Sequence, residues 1–199
     1  GFAEVSEAAN AKGIGFLLWH EPERCSTGTE VYNECIQHEG WLIEEDEERN
    51  CVNLANEDCL EYITGIMQRS IEANGVNYLR IDSIPEPQPY WEEADSRWGD
   101  GRKGFTENHY VTNFYKMLDT LKADNPGLMV DNCCSGGKRL DLEMSRRSIP
   151  LWRSDYNCMD GEGKSKPDIL QATQSQTYGL SFWLPMTGTA LYMQNEYSS

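Results

Sequence analysis

The sequence predicts an α/β protein built on a parallel sheet, and three observations carry that prediction. Short apolar runs alternate with amphipathic helices along the chain, the rhythm of strands joined by right-handed crossovers. Polar residues with chemical potential gather at the C-terminal ends of the predicted strands, while the loops at the opposite ends (Lys12-Gly13, Asn74-Gly75, Asn125-Pro126-Gly127) are plain. Residues 76–82, VNYLRID, form an apolar run that ends in one carboxylate, Asp82, with an amphipathic helix before it and a Pro-broken loop after it. An α/β barrel delivers a catalytic acid in this way, at a strand end facing the βα loops. Taken alone, Asp82 reads more simply as a turn cap. The other strand ends reverse that balance.

In chain order, residues 2–12 read as a helix with Gly13 as its C-terminal stop. Residues 15–19 (GFLLW) follow as a continuous apolar strand, the pattern of a strand buried on both faces. Pro22 ends its pairing. Residues 23–53 show one short helix near residues 29–37 and otherwise no clear element, and a connection of that length suggests a functional or inserted segment. Asn56 is placed to cap a helix, with Glu57 and Asp58 at its positive end. Leu60, Ile63, Met67 and Ile71, with Ile66 beside them, give it one apolar face, and Gly75 supplies the left-handed stop. After the strand to Asp82 comes a loop rich in Pro, Trp and Gly over residues 85–104. Residues 106–124 read as a second amphipathic helix that buries Tyr110, Phe114, Met117, Leu118 and Leu121. A strand at residues 128–130 opens into DNCCSGG. A helix at 140–147, a strand at 149–153 (IPLWR), a loop at 160–167, a helix at 168–178, a strand at 180–184 and a final loop at 185–199 complete the chain. Five strands are predicted, whereas a closed (β/α)8 barrel needs eight and about 250 residues. The residues alone therefore leave two architectures: an open doubly wound sheet, or a piece of a barrel.

The chain has 199 residues, 39% hydrophobic and 25% charged, which suits one ordinary globular domain with a real core. No apolar run is long enough to span a bilayer, and no signal peptide opens the sequence. The formal net charge of −16 disfavours nucleic acid and anionic membrane surfaces as partners. A neutral sugar is compatible with it. Much of the charge lies in residues 44–48 (EEDEE), a solvated loop rather than a site. Seven cysteines are irregularly spaced without a CxxC pair, which argues against zinc and favours a reducing compartment such as the cytoplasm, with one or two disulfides still compatible. The lack of an N-x-[ST] sequon points the same way.

The strand ends hold Trp19 with Glu21 and Glu23, Arg80 with Asp82, Asp131 to Gly137, and Arg153 with Asp155. Two Asp residues on different strand ends suggest the paired carboxylates of a retaining glycosidase, one attacking the anomeric carbon and the other protonating the leaving oxygen. A cation such as Arg80 favours an ionised nucleophile. Trp19 offers a stacking face for a sugar ring, or equally a core tryptophan. Cys133 and Cys134 could hide a thiol nucleophile, but none of His20, His38 and His109 pairs with them recognisably. Gly136-Gly137 reads better as a close backbone approach to a ligand. The aromatics of residues 90–98 read as cover for the barrel mouth more readily than as a site lining.

These segments together resemble glycoside hydrolase family 36, the α-galactosidase or melibiase-type enzymes. LLWHEPER is similar to the family's LWFEPER strand, YLRID to its YLKWD or YRQD, DNCCSGGKRLDLEM to its CASGGxRxDL, and LWRSDYN to its [VL]W-x-SD. TYGLSFWLP resembles a later strand, and the order agrees from about Ala8 to Gly188. The resemblance implies a (β/α)8 barrel, of which residues 1–199 form a single partial catalytic domain covering about strands three to seven. It implies retaining double displacement with no metal or organic cofactor. By position, Asp82 is the nucleophile and Asp155 the general acid/base. Trp19 takes the sugar-platform position, and Arg80 that of a hydroxyl-binding Lys. Cys133 and Gly136 lie near the sugar's 2-position, and Arg153 beside the acid/base as a further substrate contact.

His20 replaces a usual Phe, Cys134 a usual Ala, and Arg80-Ile81 the commoner Lys-Trp, which bears on sugar specificity because Arg donates in a planar fork. The Cys at the 2-position favours galactose over N-acetylgalactosamine. An α-N-acetylgalactosaminidase and a raffinose-synthase-like transglycosylase are the alternatives within this chemistry, and an inactive carbohydrate-binding fragment is the alternative outside it. The partner implied is an α-galactoside, and the parent enzyme can be homo-oligomeric. Strands one, two and eight have no counterpart here, nor do the family's N-terminal β-sandwich and C-terminal sheet. The chain is therefore expected to be a fragment, unstable or poorly active alone.

Overall fold

The computed structural model describes residues 1–44, 50–82, 87–97, 99–152, 154–155 and 166–184. The chain divides into two compact units, Gly1–Met129 and Val130–Ser199. In the first, the elements run α1 (Ala3–Asn10), β1 (Leu17–His20), β2 (Arg24–Cys25), α2 (Glu30–Cys35), β3 (Leu42–Glu44), β4 (Asn50–Val52), α3 (Glu57–Asn74), β5 (Tyr78–Ile81), α4 (Gln88–Ser96) and α5 (Phe105–Asp124).

β1 and β5 pair in parallel, with Leu17 opposite Tyr78 and Trp19 opposite Arg80. The Asp82 N–H extends the ladder by donating to the His20 carbonyl at 2.9 Å. Along β5, Leu79 and Ile81 are buried, and the period of two puts Tyr78, Arg80 and Asp82 on the other face. The helix before β5 forms as its sequence dictates. Asn56 accepts the Cys59 N–H at 3.1 Å, an N-cap that contributes about 1 kcal/mol. Leu60, Ile63, Met67 and Ile71 are buried on one face, each stabilising by about 1.5–3 kcal/mol relative to exposure. Gly75 ends the helix at φ 59, ψ 47, a conformation that favours glycine.

α5 packs against α3 and α4 and buries Tyr110, Phe114, Met117, Leu118 and Leu121, the face expected from the sequence. Its start is fixed by buried Asp95, whose carboxylate accepts the Gly104 N–H, the Thr106 N–H and the Thr106 hydroxyl at 2.6–2.9 Å. Burial pushes the Asp95 carboxyl up, and the hydrogen bonds from Thr106, Gly104 and Phe105 outweigh it and hold it below the usual range.

Three expectations for this unit are corrected. The strand at residues 15–19 is not buried on both faces: Leu17 is 42% and Trp19 48% exposed, on the side of β1 that turns Trp19 toward Asp82. Residues 23–53 are not featureless beyond one helix. They build an antiparallel sheet in the order β2-β4-β3. Its strands span two or three residues, too short to show a period of two in sequence. The loop expected over 85–104 contains α4, with Pro89 in its first turn, where proline's missing N–H costs nothing, and Trp91 buried against Tyr110 at 5.3 Å between ring centroids. Of the acidic run 44–48, only Glu44 lies within the described residues.

The second unit takes over within β6 (Met129–Asn132). Asp131 and Ile149 form a single parallel bridge, with the Ile149 N–H donating to the Val130 carbonyl at 2.7 Å. Of the strand expected at 149–153, residues 150–152 continue no pairing, because Pro150 has no N–H and the Leu151 N–H turns to the Asp131 carboxylate at 3.0 Å; Arg153 lies outside the described residues. A tight turn, Cys134–Gly137, precedes the helix Leu142–Arg147, which Asp141 caps by accepting the Met144 N–H at 2.9 Å. The helix Lys166–Tyr178 agrees with the sequence. The strand expected at 180–184 is instead a 3-10 turn, Leu180–Phe182. Gly179, between the helix and this turn, keeps a helical backbone conformation, and Phe182 and Trp183 are exposed. The loops expected at 160–165 and 185–199 lie outside the described residues. No helix among the described residues is long and apolar enough to cross a membrane.

Candidate active site

Each unit holds one of the two candidate carboxylates, Asp82 directly after β5 and Asp155 six residues beyond the bridge at Ile149, and each accepts an indole N–H. In the first unit Trp19 Nε1 donates to Asp82 Oδ2 at 3.3 Å. The two residues are 63 apart in sequence and meet because β1 and β5 are in parallel register, with Trp19 opposite Arg80 and Asp82 one step beyond β5. Side chains opposite one another in a parallel pair share a face, so Trp19, Arg80 and Asp82 point to the same side of the sheet. Trp19 is 48% exposed, so it lies partly open to solvent beside the carboxylate.

His20 alternates to the other side, where its Nε2 contacts Ser70 Oγ at 3.0 Å on α3. Burial lowers its pKa. His20 thus joins the sheet to a helix and does not face Asp82. Of the other polar residues after β1, Glu21 is ion-paired with Arg24, and Glu23 is fully buried, its carbonyl accepting the Val52 N–H at 3.0 Å.

In the second unit, Trp152 Nε1 donates to Asp155 Oδ1 at 2.8 Å, in a part-buried setting and only three residues away. The other side of Asp155 lies against the Cys134–Gly137 turn. A Cβ built on Gly136 would stand 2.8 Å from the Asp155 backbone nitrogen and 3.3 Å from its Oδ2. Gly136 also has φ 92, so both space and backbone demand glycine there. Cys134 and Ser135 share the left-handed region at φ 49 each, where non-glycine residues cost roughly 1–2 kcal/mol. Strain of this kind persists only where surrounding structure imposes it, and it clusters at ligand sites. Here Asn132, buried, donates to the Arg139 carbonyl beyond the turn, and the Gly137 N–H donates back to the Cys133 carbonyl.

Trp19, Arg80 and Asp82 are therefore brought together in one unit, and Gly136 and Asp155 in the other, with buried Cys133 at the start of the turn. Arg153 lies outside the described residues. The sequence alone assigned Trp152 no role. The signal was present as the W-x-x-D spacing in LWRSD, which lets an indole reach a carboxylate three residues on. Among the described residues, no group of three or more His, Cys, Asp or Glu is arranged to hold a metal ion.

The Melibiase family model matches residues 1–168. The α-galactosidase AgaA of Geobacillus stearothermophilus is 25% identical over 162 residues, covering 78% of this chain and 21% of the relative. The α-galactosidase C of Emericella nidulans is 26% identical over 159 residues, covering 73% and 18%. The chain thus spans about a fifth of the length of these curated relatives. Among solved structures, the α-galactosidase from Lactobacillus brevis superposes with a TM-score of 0.63 at 25% identity, over 79% of this chain and 21% of that one. A variant of the Geobacillus GH36 α-galactosidase AgaA superposes over 100% of this chain and 27% of its own, with a TM-score of 0.69 at 20% identity, a likeness of fold. Of the two architectures open from the residues, the fold is the partial (β/α)8 barrel. With its motifs in family order and the family model matched over residues 1–168, the chain belongs to the Melibiase family.

Proposed function

We propose that this chain is the central part of the catalytic barrel of a retaining α-galactosidase, which removes terminal α-linked galactose from oligosaccharides or glycoconjugates. The observation that carries the proposal is that the family match over residues 1–168 spans both indole-held carboxylates, Asp82 and Asp155. Asp82 is the nucleophile. Its carboxylate attacks the anomeric carbon as the bond to the glycosidic oxygen breaks, forming a β-glycosyl ester. Asp155 gives its proton to the departing oxygen, then takes one from the water that displaces Asp82, and galactose leaves with its α configuration retained.

The geometry around Asp155 supports the acid role. Indole N–H can only donate, so Oδ1 is held as an acceptor and the acid's proton belongs on Oδ2. That is the oxygen beside Gly136, where the missing side chain lets the turn close up against the carboxyl group. Trp19 stacks on the apolar side of the sugar. Arg80, on the same side of the sheet as Asp82, donates to the sugar hydroxyls in a planar fork. Cys133 and Gly136 bound the 2-position, and Arg153 contacts the substrate next to the acid. AgaA variants from Geobacillus stearothermophilus are solved in complex with raffinose and with stachyose, so α-galactosides of that size are the substrates to test first.

The test uses the full-length protein. Wild type is expected to hydrolyse p-nitrophenyl α-galactoside in preference to the α-N-acetylgalactosaminide. Asp82→Ala is expected to abolish turnover, and azide to restore it with β-galactosyl azide as product. Turnover of the acetamido sugar instead, or transfer to a second sugar instead of to water, would replace the hydrolase reading with one of its two relatives in chemistry. Sugar binding by a folded wild type that turns over neither substrate would leave a carbohydrate-binding module.

A further inference from the structure

Cys25, Cys35 and Cys59 belong to three different elements, β2, α2 and α3, and all are buried, at 5%, 1% and 0% exposure. Their thiols meet. Cys35 is in side-chain hydrogen-bonding contact with both Cys25 and Cys59, so it stands between two possible partners. Nothing in the proposed sugar chemistry uses these residues. Cys35 also forms part of the wall of an open cavity of about 720 Å³, together with His38, Gly40, Glu93 and Arg97. His38 is fixed on that wall by Glu34, 3.0 Å from its Nε2, and by stacking on Trp41 at 4.1 Å between ring centroids. Behind it, Cys59 Sγ donates to the Trp41 carbonyl at 3.7 Å.

The arrangement is unsymmetrical in reactivity. The contact with the Cys25 thiol and then that with Cys59, whose S–H is directed to the Trp41 carbonyl, stabilise the Cys35 thiolate against the opposing effect of burial, with His38 adding to the pull, so Cys35 ionises below the ordinary thiol range. Cys25 and Cys59 are pushed up, by that hydrogen bond and then by burial. A thiolate next to a protonated thiol is the pairing that thiol–disulfide exchange uses.

We propose that Cys35 and one of its two neighbours, Cys25 or Cys59, form a reversible disulfide, a redox-modified site independent of the glycosidase reading. The oxidant is a small-molecule disulfide such as oxidised glutathione. The Cys35 thiolate attacks one of its sulfurs, a mixed disulfide forms, and one glutathione thiolate leaves. Cys25 or Cys59 then loses its proton to solvent and attacks the Cys35 sulfur, expelling the second glutathione. Two protein thiols are oxidised, and one small disulfide is reduced to two thiols. Because Cys35 is 1% exposed, exchange runs through a local opening of the six-residue helix α2 on the cavity side.

The experiment equilibrates the full-length protein with glutathione buffers of increasing oxidation, quenches with acid, alkylates the free thiols and maps the linked peptides. The expected result is the loss of two free thiols within residues 25–59, in a link that always includes Cys35. Cys25→Ala should shift the link to Cys35–Cys59, and Cys59→Ala to Cys25–Cys35. The wild-type peptide map decides the question even where a variant fails to fold. Four reduced thiols at Cys25, Cys35, Cys51 and Cys59 in the most oxidising buffer would overturn the proposal, as would a link that omits Cys35. Stoichiometric zinc bound by these thiols in the purified protein would overturn it too.

Discussion

Asp82 and Asp155 each accept an indole N–H, but the two arrangements are built in different ways. Trp19 reaches Asp82 across 63 residues, through the register of two parallel strands, and the contact is long and exposed at 3.3 Å. Trp152 reaches Asp155 across three residues, through local backbone geometry, and the contact is short and part-buried at 2.8 Å. A hydrogen bond open to water contributes little net stability, while one screened from water is stronger and costs more to lose. The first carboxylate is thus positioned by the sheet itself, with an indole that is half free to meet a ligand. The second is positioned by its own tryptophan and by a strained turn that allows no side chain at Gly136. The contrast suits the proposed roles. A nucleophile must lie open to the anomeric carbon, whereas an acid/base must hold one oxygen fixed while the other exchanges a proton.

The largest expected effect comes from removing the acid. Asp155→Ala should lower kcat/KM for raffinose by roughly 10²–10⁴-fold, the usual worth of general acid catalysis. p-Nitrophenyl α-galactoside, whose leaving group needs little protonation, should suffer less in bond cleavage, and added azide should give the α-galactosyl azide. Product stereochemistry opposite to that from Asp82→Ala checks both roles at once, and the same anomer from both variants would break the comparison. Next comes Gly136→Ala. Its Cβ would meet the Asp155 backbone nitrogen at 2.8 Å, in a backbone region unfavourable to alanine. The expected cost is about 1–3 kcal/mol in denaturant unfolding, with a loss of kcat beyond the loss of folded protein. The indole pair gives a finer test. Trp152→Phe removes a part-buried donor and should reduce kcat roughly 10-fold, about 1.4 kcal/mol at the transition state. Trp19→Phe removes an exposed donor but keeps a ring, so it should change kcat less and show more in KM. Equal effects from the two would show that burial does not separate the arrangements.

The long helices and the strand-end carboxylate were legible because their signals are local. The apolar face of α3, its Asn56 cap and its Gly75 stop lie within one stretch, and Asp82 follows the last residue of the β5 strand. The antiparallel sheet of β2, β3 and β4 was not legible, since strands of two or three residues show no period and owe their existence to neighbours distant in sequence. The run at 180–184 misled for the related reason that a short apolar segment does not distinguish a strand from a turn continuing a helix. In the site, the W-x-x-D contact could have been read from spacing. The Trp19–Asp82 contact could not, because it depends on which residue of β5 faces Trp19, and a one-step slip would turn Asp82 to the opposite face. Gly136 was marked as a place of close approach, but the group that approaches it, Asp155, became visible only with the fold.

The smallest expected effect tests the claim that the Asp82 side depends on the sheet and on the helix behind it. His20 follows Trp19 on β1 and meets Ser70 of α3, and burial lowers its pKa below the ordinary imidazole value near 6.5. Between the lowered folded value and the unfolded value, the unfolded chain therefore binds more protons than the folded one, and stability rises with pH. The His20 contribution should be complete above about pH 6.5 and should fall as pH drops below it, levelling off below the folded value. Thermal unfolding of the full-length protein at pH 7 and pH 5 is the measurement, with His20→Phe as the comparison. Phenylalanine keeps the ring and removes the titration, so the fall in Tm on acidification should be smaller in the variant than in wild type. Hydrolysis by Asp82 should weaken in parallel with that fall, because loosening β1 from α3 disturbs the register that brings Trp19 to the carboxylate. The Trp152–Asp155 contact, made within three residues, has no such dependence on β1. Identical pH slopes in wild type and variant would show that His20 does not couple the sheet to α3, and Trp19 would then be held by the strand pairing alone.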